Sequence, residues 1–69
     1  MVTLRRFTAT EWRDLARGQR ALAVQTEEQI EKNRTTTLEG FFIKAREVHI
    51  ELAELCELYA KRAQEQGRI

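Results

Sequence analysis

His49 and Cys56 are the side chains best suited to metal or covalent chemistry. Together they could form a thiolate–imidazole pair or supply two ligands to zinc. Seven residues apart on one helix, they would lie about 10 Å from each other along its axis, too far to meet at one atom. The sequence has no other histidine or cysteine to complete a metal site or a disulfide. We therefore expect no catalytic residue, metal or cofactor here, and interpret both residues as packing groups.

Carboxylates recur along the second half of the chain and are the next candidates. They are Glu47, Glu51, Glu54 and Glu57. Helical bundles that bind two metal ions use inward-facing glutamates and a Glu-x-x-His motif. Here the residue three positions before the only histidine is Arg46, and the glutamates lie opposite the apolar face. With no Gly-rich phosphate loop or nucleophile motif either, we expect a solvated acidic face and no enzyme.

Arginines gather in the first part of the chain and are suited to binding carboxylates or phosphates. They are Arg5, Arg6, Arg13, Arg17 and Arg20. Acidic residues follow from Glu27 to Glu31, so the charges run against the helix dipole and place like charges four residues apart. Helix stability does not account for this layout. A solvated surface and a contact surface for an acidic partner both remain open.

The first of the elements that position these residues is a helix from about 9 to 32. Thr8 and Glu11 have the spacing of a capping box, and Phe7 and Trp12 that of a hydrophobic staple. Gly18 lies inside the helix, where it costs about 1 kcal/mol relative to alanine and allows a kink or break. Residues 1–7 are predicted to form a short extended arm before it.

A second helix is predicted from about 37 to 65, after a polar turn at 33–36. Thr36 and Glu39 repeat the capping-box spacing. With no proline in the chain, both elements can run as long helices, and the short turn folds them into an antiparallel hairpin. The predicted fold class is all-α, with one domain.

The apolar residues of the second helix fill an arc of about 160°, wider than one partner helix can cover. A chain of 69 residues is also marginally stable alone. We therefore predict a homodimer that forms a four-helix bundle. The candidate core and dimer residues are Trp12, Leu15, Leu22, Ile30, Phe41, Phe42, Val48, Leu52, Leu55 and Tyr59.

Polar and isolated apolar residues provide two smaller sites. Gln19 and Thr26 interrupt the apolar stripe of the first helix, and Gln19 falls opposite His49 in the hairpin. These polar residues form either a partly hydrated seam or a polar layer that sets the register of the hairpin or the dimer. Ile43 and Ile50 project into the charged side of the second helix, where they are candidates for binding a partner.

The net charge is +1, with 12 basic and 11 acidic residues, so it gives no overall attraction to nucleic acid or anionic membrane. The sequence also lacks a targeting segment and an apolar run that could span a bilayer, which predicts a cytoplasmic protein. We expect a non-enzymatic interaction module, a small adaptor, assembly subunit or inhibitor that binds another protein through the outer faces of its dimer.

The alternative is a DNA-binding regulator of the ribbon–helix–helix type. Residues 2–7 alternate as an N-terminal strand would, and Thr3 and Arg5 would then read bases in the major groove. Those domains have a short first helix closed by a glycine turn. Here the helical pattern continues beyond Gly18, and the near-neutral charge also weakens this alternative.

Overall fold

The computed structural model describes residues 6–69, which form two α-helices, α1 (Ala9–Lys32) and α2 (Leu38–Glu65). The Ala9 N–H donates to the Arg68 carbonyl at 2.7 Å, so the start of α1 lies beside the end of the chain. The helices therefore pack antiparallel, and the described residues contain no strand. The predicted helical hairpin is confirmed, whereas residues 1–5 of the predicted arm lie outside the described residues.

The start of α1 has the capping box and staple that the sequence predicts. The Glu11 N–H donates to the Thr8 hydroxyl at 3.2 Å, and the Thr8 N–H donates to the Glu11 carboxylate at 3.0 Å. Phe7 and Trp12 meet edge to face with their ring centroids 5.0 Å apart. The helix then passes through Gly18 without a break.

The capping box predicted for α2 is wrong. The cap residue is Thr37, whose side chain makes no capping hydrogen bond, and the helix begins at Leu38. The Thr36 hydroxyl is engaged in the turn instead: it donates to the Asn33 carbonyl at 2.6 Å and accepts from the Leu38 N–H at 3.2 Å. The N–H of Glu39 donates to the Thr36 carbonyl at 3.2 Å and not to the Thr36 hydroxyl.

Alanines occupy the seam between the two helices. Ala9, Ala16 and Ala23 recur every seven residues on α1, as Ala53 and Ala60 do on α2, and each is at most 6% exposed. A seven-residue spacing keeps one side of each helix turned toward the other along a supercoil. Among the described residues, no large side chain is fully buried, so this hairpin has a narrow core.

The large apolar residues proposed for the core and dimer flank this seam. Trp12, Ile30 and Phe42 are half-buried. The others are 40–66% exposed in the hairpin: Leu15, Leu22, Phe41, Val48, Leu52, Leu55 and Tyr59. The physical reason is that short alanine side chains bring the helices close together and leave the larger neighbours at the edges.

Neither helix has a stretch apolar enough, over a sufficient length, to cross a lipid bilayer; this holds for residues 6–69.

Candidate functional site

Polar side chains join the helices along one edge of the seam, which we call the polar face. The Arg20 guanidinium donates twice to the Glu57 carboxylate, at 3.0 and 2.7 Å. One helical repeat away, Arg13 donates to the side-chain oxygen of Gln64. All four residues lie four positions after a seam alanine, so this edge of each helix turns toward the same face of the hairpin.

The contact between Arg20 and Glu57 changes the pKa of both groups. The hydrogen bond from Arg20 is the largest cause of the lowered pKa of Glu57, and the same bond raises the pKa of Arg20. The two side chains remain 50% and 47% exposed, so water screens their attraction. The pair therefore orients the helices more than it stabilises them.

The arginines of α1 that were predicted as a contact surface are exposed, and each donates to a side chain of the hairpin itself. Those of the polar face are engaged across the hairpin, and Arg17 donates to Asp14 at 3.3 Å on its own helix. Arg6 is exposed just before α1. Arg5 lies outside the described residues.

Large apolar side chains line the other edge of the seam. Leu15 and Leu22 each precede a buried alanine of α1 by one position, as Leu52 and Tyr59 do on α2. A residue one position before an alanine projects about 100° to one side of it, whereas a residue four positions after projects about 40° to the other. The polar contacts join residues that lie four positions after an alanine. The residues one position before an alanine therefore share the opposite face of the hairpin.

On α2 these residues belong to a second repeat with alternating spacings of three and four. Its members are Leu38, Phe41, Ala45, Val48, Leu52, Leu55 and Tyr59. Together with Leu15 and Leu22 of α1 they make up what we call the apolar face. Ala45 is half-buried and the rest are at least 40% exposed, with Phe41 at 66%. Monomeric soluble proteins rarely expose a continuous apolar patch of more than a few hundred Å².

Aromatic rings mark the two ends of the apolar face. Tyr59 lies 5.0 Å from Trp12 between ring centroids, and Arg62 lies over the Tyr59 ring at 5.9 Å. At the turn end, Phe41 and Phe42 meet edge to face at 5.4 Å. Phe42 also lines an open hollow beside Leu22. The apolar face thus extends from the turn toward the end of the hairpin where α1 begins and α2 ends.

Gln19 and His49 meet within the alanine seam, as the hairpin register predicts. His49 Nδ1 lies 2.7 Å from the Gln19 side-chain oxygen, so the ring N–H donates to the amide. Thr26, the other residue of the predicted polar layer, is buried and donates to the Leu22 carbonyl of its own helix at 2.7 Å. Of the three residues predicted as a polar layer, Gln19 and His49 therefore make the contact between the helices, and Thr26 does not.

The remaining candidates lie at the seam edges. Ile43 and Ile50 are half-buried on the polar-face side of α2. Cys56 is a half-buried free thiol. Residues 6–69 contain no cluster of histidine, cysteine and acidic side chains that could hold a metal ion.

The sequence does carry a signal for the alanine seam, which the stripe of large apolar residues obscured: the strict seven-residue spacing of Ala9, Ala16 and Ala23, repeated by Ala53 and Ala60. It marks the helix surfaces that face each other. If the alanines form the seam, the large apolar residues beside them must lie on the surface of the hairpin. The pairing of Arg20 with Glu57 had no comparable local signal.

Comparisons of the chain with protein-family models, with curated proteins and with solved structures found no match.

Proposed function

We propose that this chain is a non-enzymatic protein–protein interaction module that acts in the cytoplasm as a homodimer. The apolar face is the single observation that carries the proposal. A hairpin of two helices is one layer thick, whereas domains are built from at least two packed layers. A second copy supplies the missing layer and completes a four-helix bundle.

The energetics of the hairpin support a second layer. Full burial of a leucine or phenylalanine side chain contributes about 1.5–3 kcal/mol, and none of the large apolar side chains in the described residues is fully buried. The seam buries mostly alanine methyl groups. Covering the apolar face therefore buries large side chains that a single hairpin leaves partly exposed.

The outer surface of the dimer is what the module presents to another protein, as an adaptor, assembly subunit or inhibitor. The polar face and the outer sides of both helices stay in solvent when the apolar faces meet. Arg17, 80% exposed in its side chain, and the exposed Val24 lie on that surface. They provide charged and apolar contacts that a partner protein can use.

Sedimentation at micromolar concentrations tests the dimer. We expect the wild-type chain to sediment as a dimer and both Leu22→Lys and Leu52→Lys to sediment as monomers, because each buries a charge in the interface. Val24→Lys is the matched control, an exposed apolar residue of α1 away from the apolar face, and should remain dimeric. A folded wild-type monomer at these concentrations would refute the homodimer.

Affinity capture from the source cell tests the module. Mass spectrometry should identify a protein that the wild-type chain retains and that Arg17→Glu, which reverses a charge on the outer surface, does not. Glu28→Gln is the control, a change at another exposed charge of α1, and should retain that protein. Equal capture by Arg17→Glu and wild type would show that this part of the outer surface does not bind the partner.

Binding to duplex DNA tests the alternative function. Affinity that falls steeply with salt and disappears in an Arg5→Ala, Arg6→Ala double variant would favour a DNA-binding regulator over the interaction module.

A further inference from the structure

We infer that α2 of one copy packs antiparallel against α2 of the second copy, with Val48 near the two-fold axis and Lys44 facing Glu51 of the other copy. This inference rests on the proposed homodimer and specifies its arrangement. It places the turn of each hairpin beside the start of α1 and the end of α2 of the other.

The exposed repeat of α2 matches itself when it is reversed. It extends from Leu38 to Tyr59, and Val48 lies at its middle. Reversal about Val48 places Leu38 near Tyr59 of the second copy and Phe41 near Leu55. Every large side chain of the repeat then meets an apolar side chain, as the seam of an antiparallel coiled coil requires.

The apolar face of α1 offers a poorer partner for this repeat. Leu15 and Leu22 are its large apolar side chains, and the exposed Gln25 and Gln29 continue the same edge toward the turn. If α2 packed on α1 of the second copy with like ends together, Phe41 would lie near these glutamines. Pairing α2 with α2 buries Phe41 among apolar side chains instead.

The charges beside the repeat select the antiparallel direction. Lys44 and Glu51 are exposed and lie on the same edge of α2. Lys44 is four positions before Val48, and Glu51 is three positions after it. Reversal about Val48 therefore brings each lysine opposite a glutamate of the other copy. In parallel helices this edge would face the opposite edge of the other copy, so Lys44 and Glu51 would not meet.

The length of the apolar face also favours a second copy as its partner. Standard interfaces bury about 800 Å² on each partner, which takes roughly 20–30 residues a side. The apolar face follows most of the length of α2 and the middle of α1, and its large side chains are already 40% or more exposed. The identical surface of a second copy covers the apolar face over that whole length, and no different protein is needed.

Distances between spin labels test the direction directly. With Cys56 replaced by alanine, a single label is attached at Leu58→Cys or at Glu65→Cys, both on the edge that carries Lys44. In the antiparallel dimer the distance between copies grows by about 3 Å for each residue away from the axis, twice the helical rise. The label at 65 should therefore give a distance about 20 Å longer than the label at 58.

Charge reversal gives an independent readout. Lys44→Glu and Glu51→Lys should each raise the dimer dissociation constant by about tenfold, and the double variant should restore it. The matched control is Glu54→Lys combined with Lys61→Glu. These two residues have opposite charges and the same seven-residue spacing, but they lie on the side of α2 that faces away from the apolar face. The single and double variants of this control should leave the dissociation constant unchanged.

The outcomes separate this inference from the proposed dimer. A dimer with equal label distances at 58 and 65, or one that the double reversal does not rescue, would overturn the antiparallel arrangement and leave the homodimer standing. A monomeric wild-type chain would overturn both. A dimer with the longer distance at 65 and rescue by the double reversal would support the arrangement.

Discussion

Gln19 and His49 form a hydrogen bond across the helix seam, with 2.7 Å between the amide oxygen and the ring nitrogen. On α1 the pair lies between Ala16 and Ala23, which are buried. Alanines at every layer would allow one helix to slide along the other by a repeat at little cost. A polar pair at one layer penalises such shifts, because each shifted register leaves a half-buried polar group without its partner.

Replacing either member of this pair should destabilise the hairpin. We expect Gln19→Leu and His49→Leu each to lower the free energy of unfolding by about 1–3 kcal/mol, because the remaining polar group loses its partner. The double variant should cost less than the sum of the two, which denaturant unfolding of all four chains measures as a coupling energy. Strictly additive effects would show that the contact does not set the register.

Acid should weaken the contact between Arg20 and Glu57. The pKa of Glu57 is lowered in the folded chain, first by the hydrogen bond from Arg20, so folding favours its ionised form. That contribution is complete above the pKa of an unfolded glutamate and is lost as the pH falls through the lower folded value. Thermal unfolding between neutral and acidic pH should show a smaller loss of stability for Glu57→Gln than for wild type.

A matched variant controls for the other carboxylates. Glu28→Gln removes an exposed carboxylate of α1 and should leave the pH dependence as in wild type. If Glu28→Gln and Glu57→Gln behaved alike, the pH dependence would come from the general charge of the chain.

Enlarging a seam alanine should force the helices apart. Ala53 is fully buried, so Ala53→Leu should cost about 1–3 kcal/mol through overpacking. Ala21 is exposed on α1, and Ala21→Leu should change the stability by no more than about 0.5 kcal/mol. Denaturant midpoints of the two variants provide the comparison. Equal midpoints would contradict a close alanine seam.

Removing the backbone strain at Thr35 in the turn should stabilise the chain. Thr35 has a φ of 69°, in the left-handed region that a β-branched residue rarely adopts. Thr35→Gly should therefore raise the free energy of unfolding by about 0.5–1 kcal/mol, the relief of strain exceeding the added entropy of the unfolded glycine. Thr37, with a φ of −65°, has no such strain. Thr37→Gly should lower the stability, and a gain from both variants would point to a general effect of glycine.

Features that depend on neighbouring residues can be predicted from the sequence alone. The bonds between Thr8 and Glu11 and the contact of Phe7 with Trp12 join groups within one helical turn, so their spacing is enough to predict them. The hairpin follows from two long helices and a short turn. Its register brings Gln19 to His49 because an antiparallel fold pairs residues at matching distances from the turn.

Local spacing was not sufficient at the second helix start. Thr36 and Glu39 have the same separation as the first capping box, yet the Thr36 hydroxyl bonds to Asn33 and Leu38 in the turn. A threonine hydroxyl makes only a few hydrogen bonds, and which backbone groups it meets depends on the path of the turn. That path includes the left-handed Thr35, which no spacing rule reveals.

The side of each helix that faces the other depends on how the two helices pack and does not follow from spacing. A stripe of large apolar residues and a repeat of alanines both run along α2, and each is a valid helical seam by spacing alone. The hairpin uses the alanines, because short side chains on both helices permit the closer approach. That choice leaves Leu52 and its neighbours uncovered and brings Arg20 to Glu57, since contacts between distant segments depend on how the two helices pack.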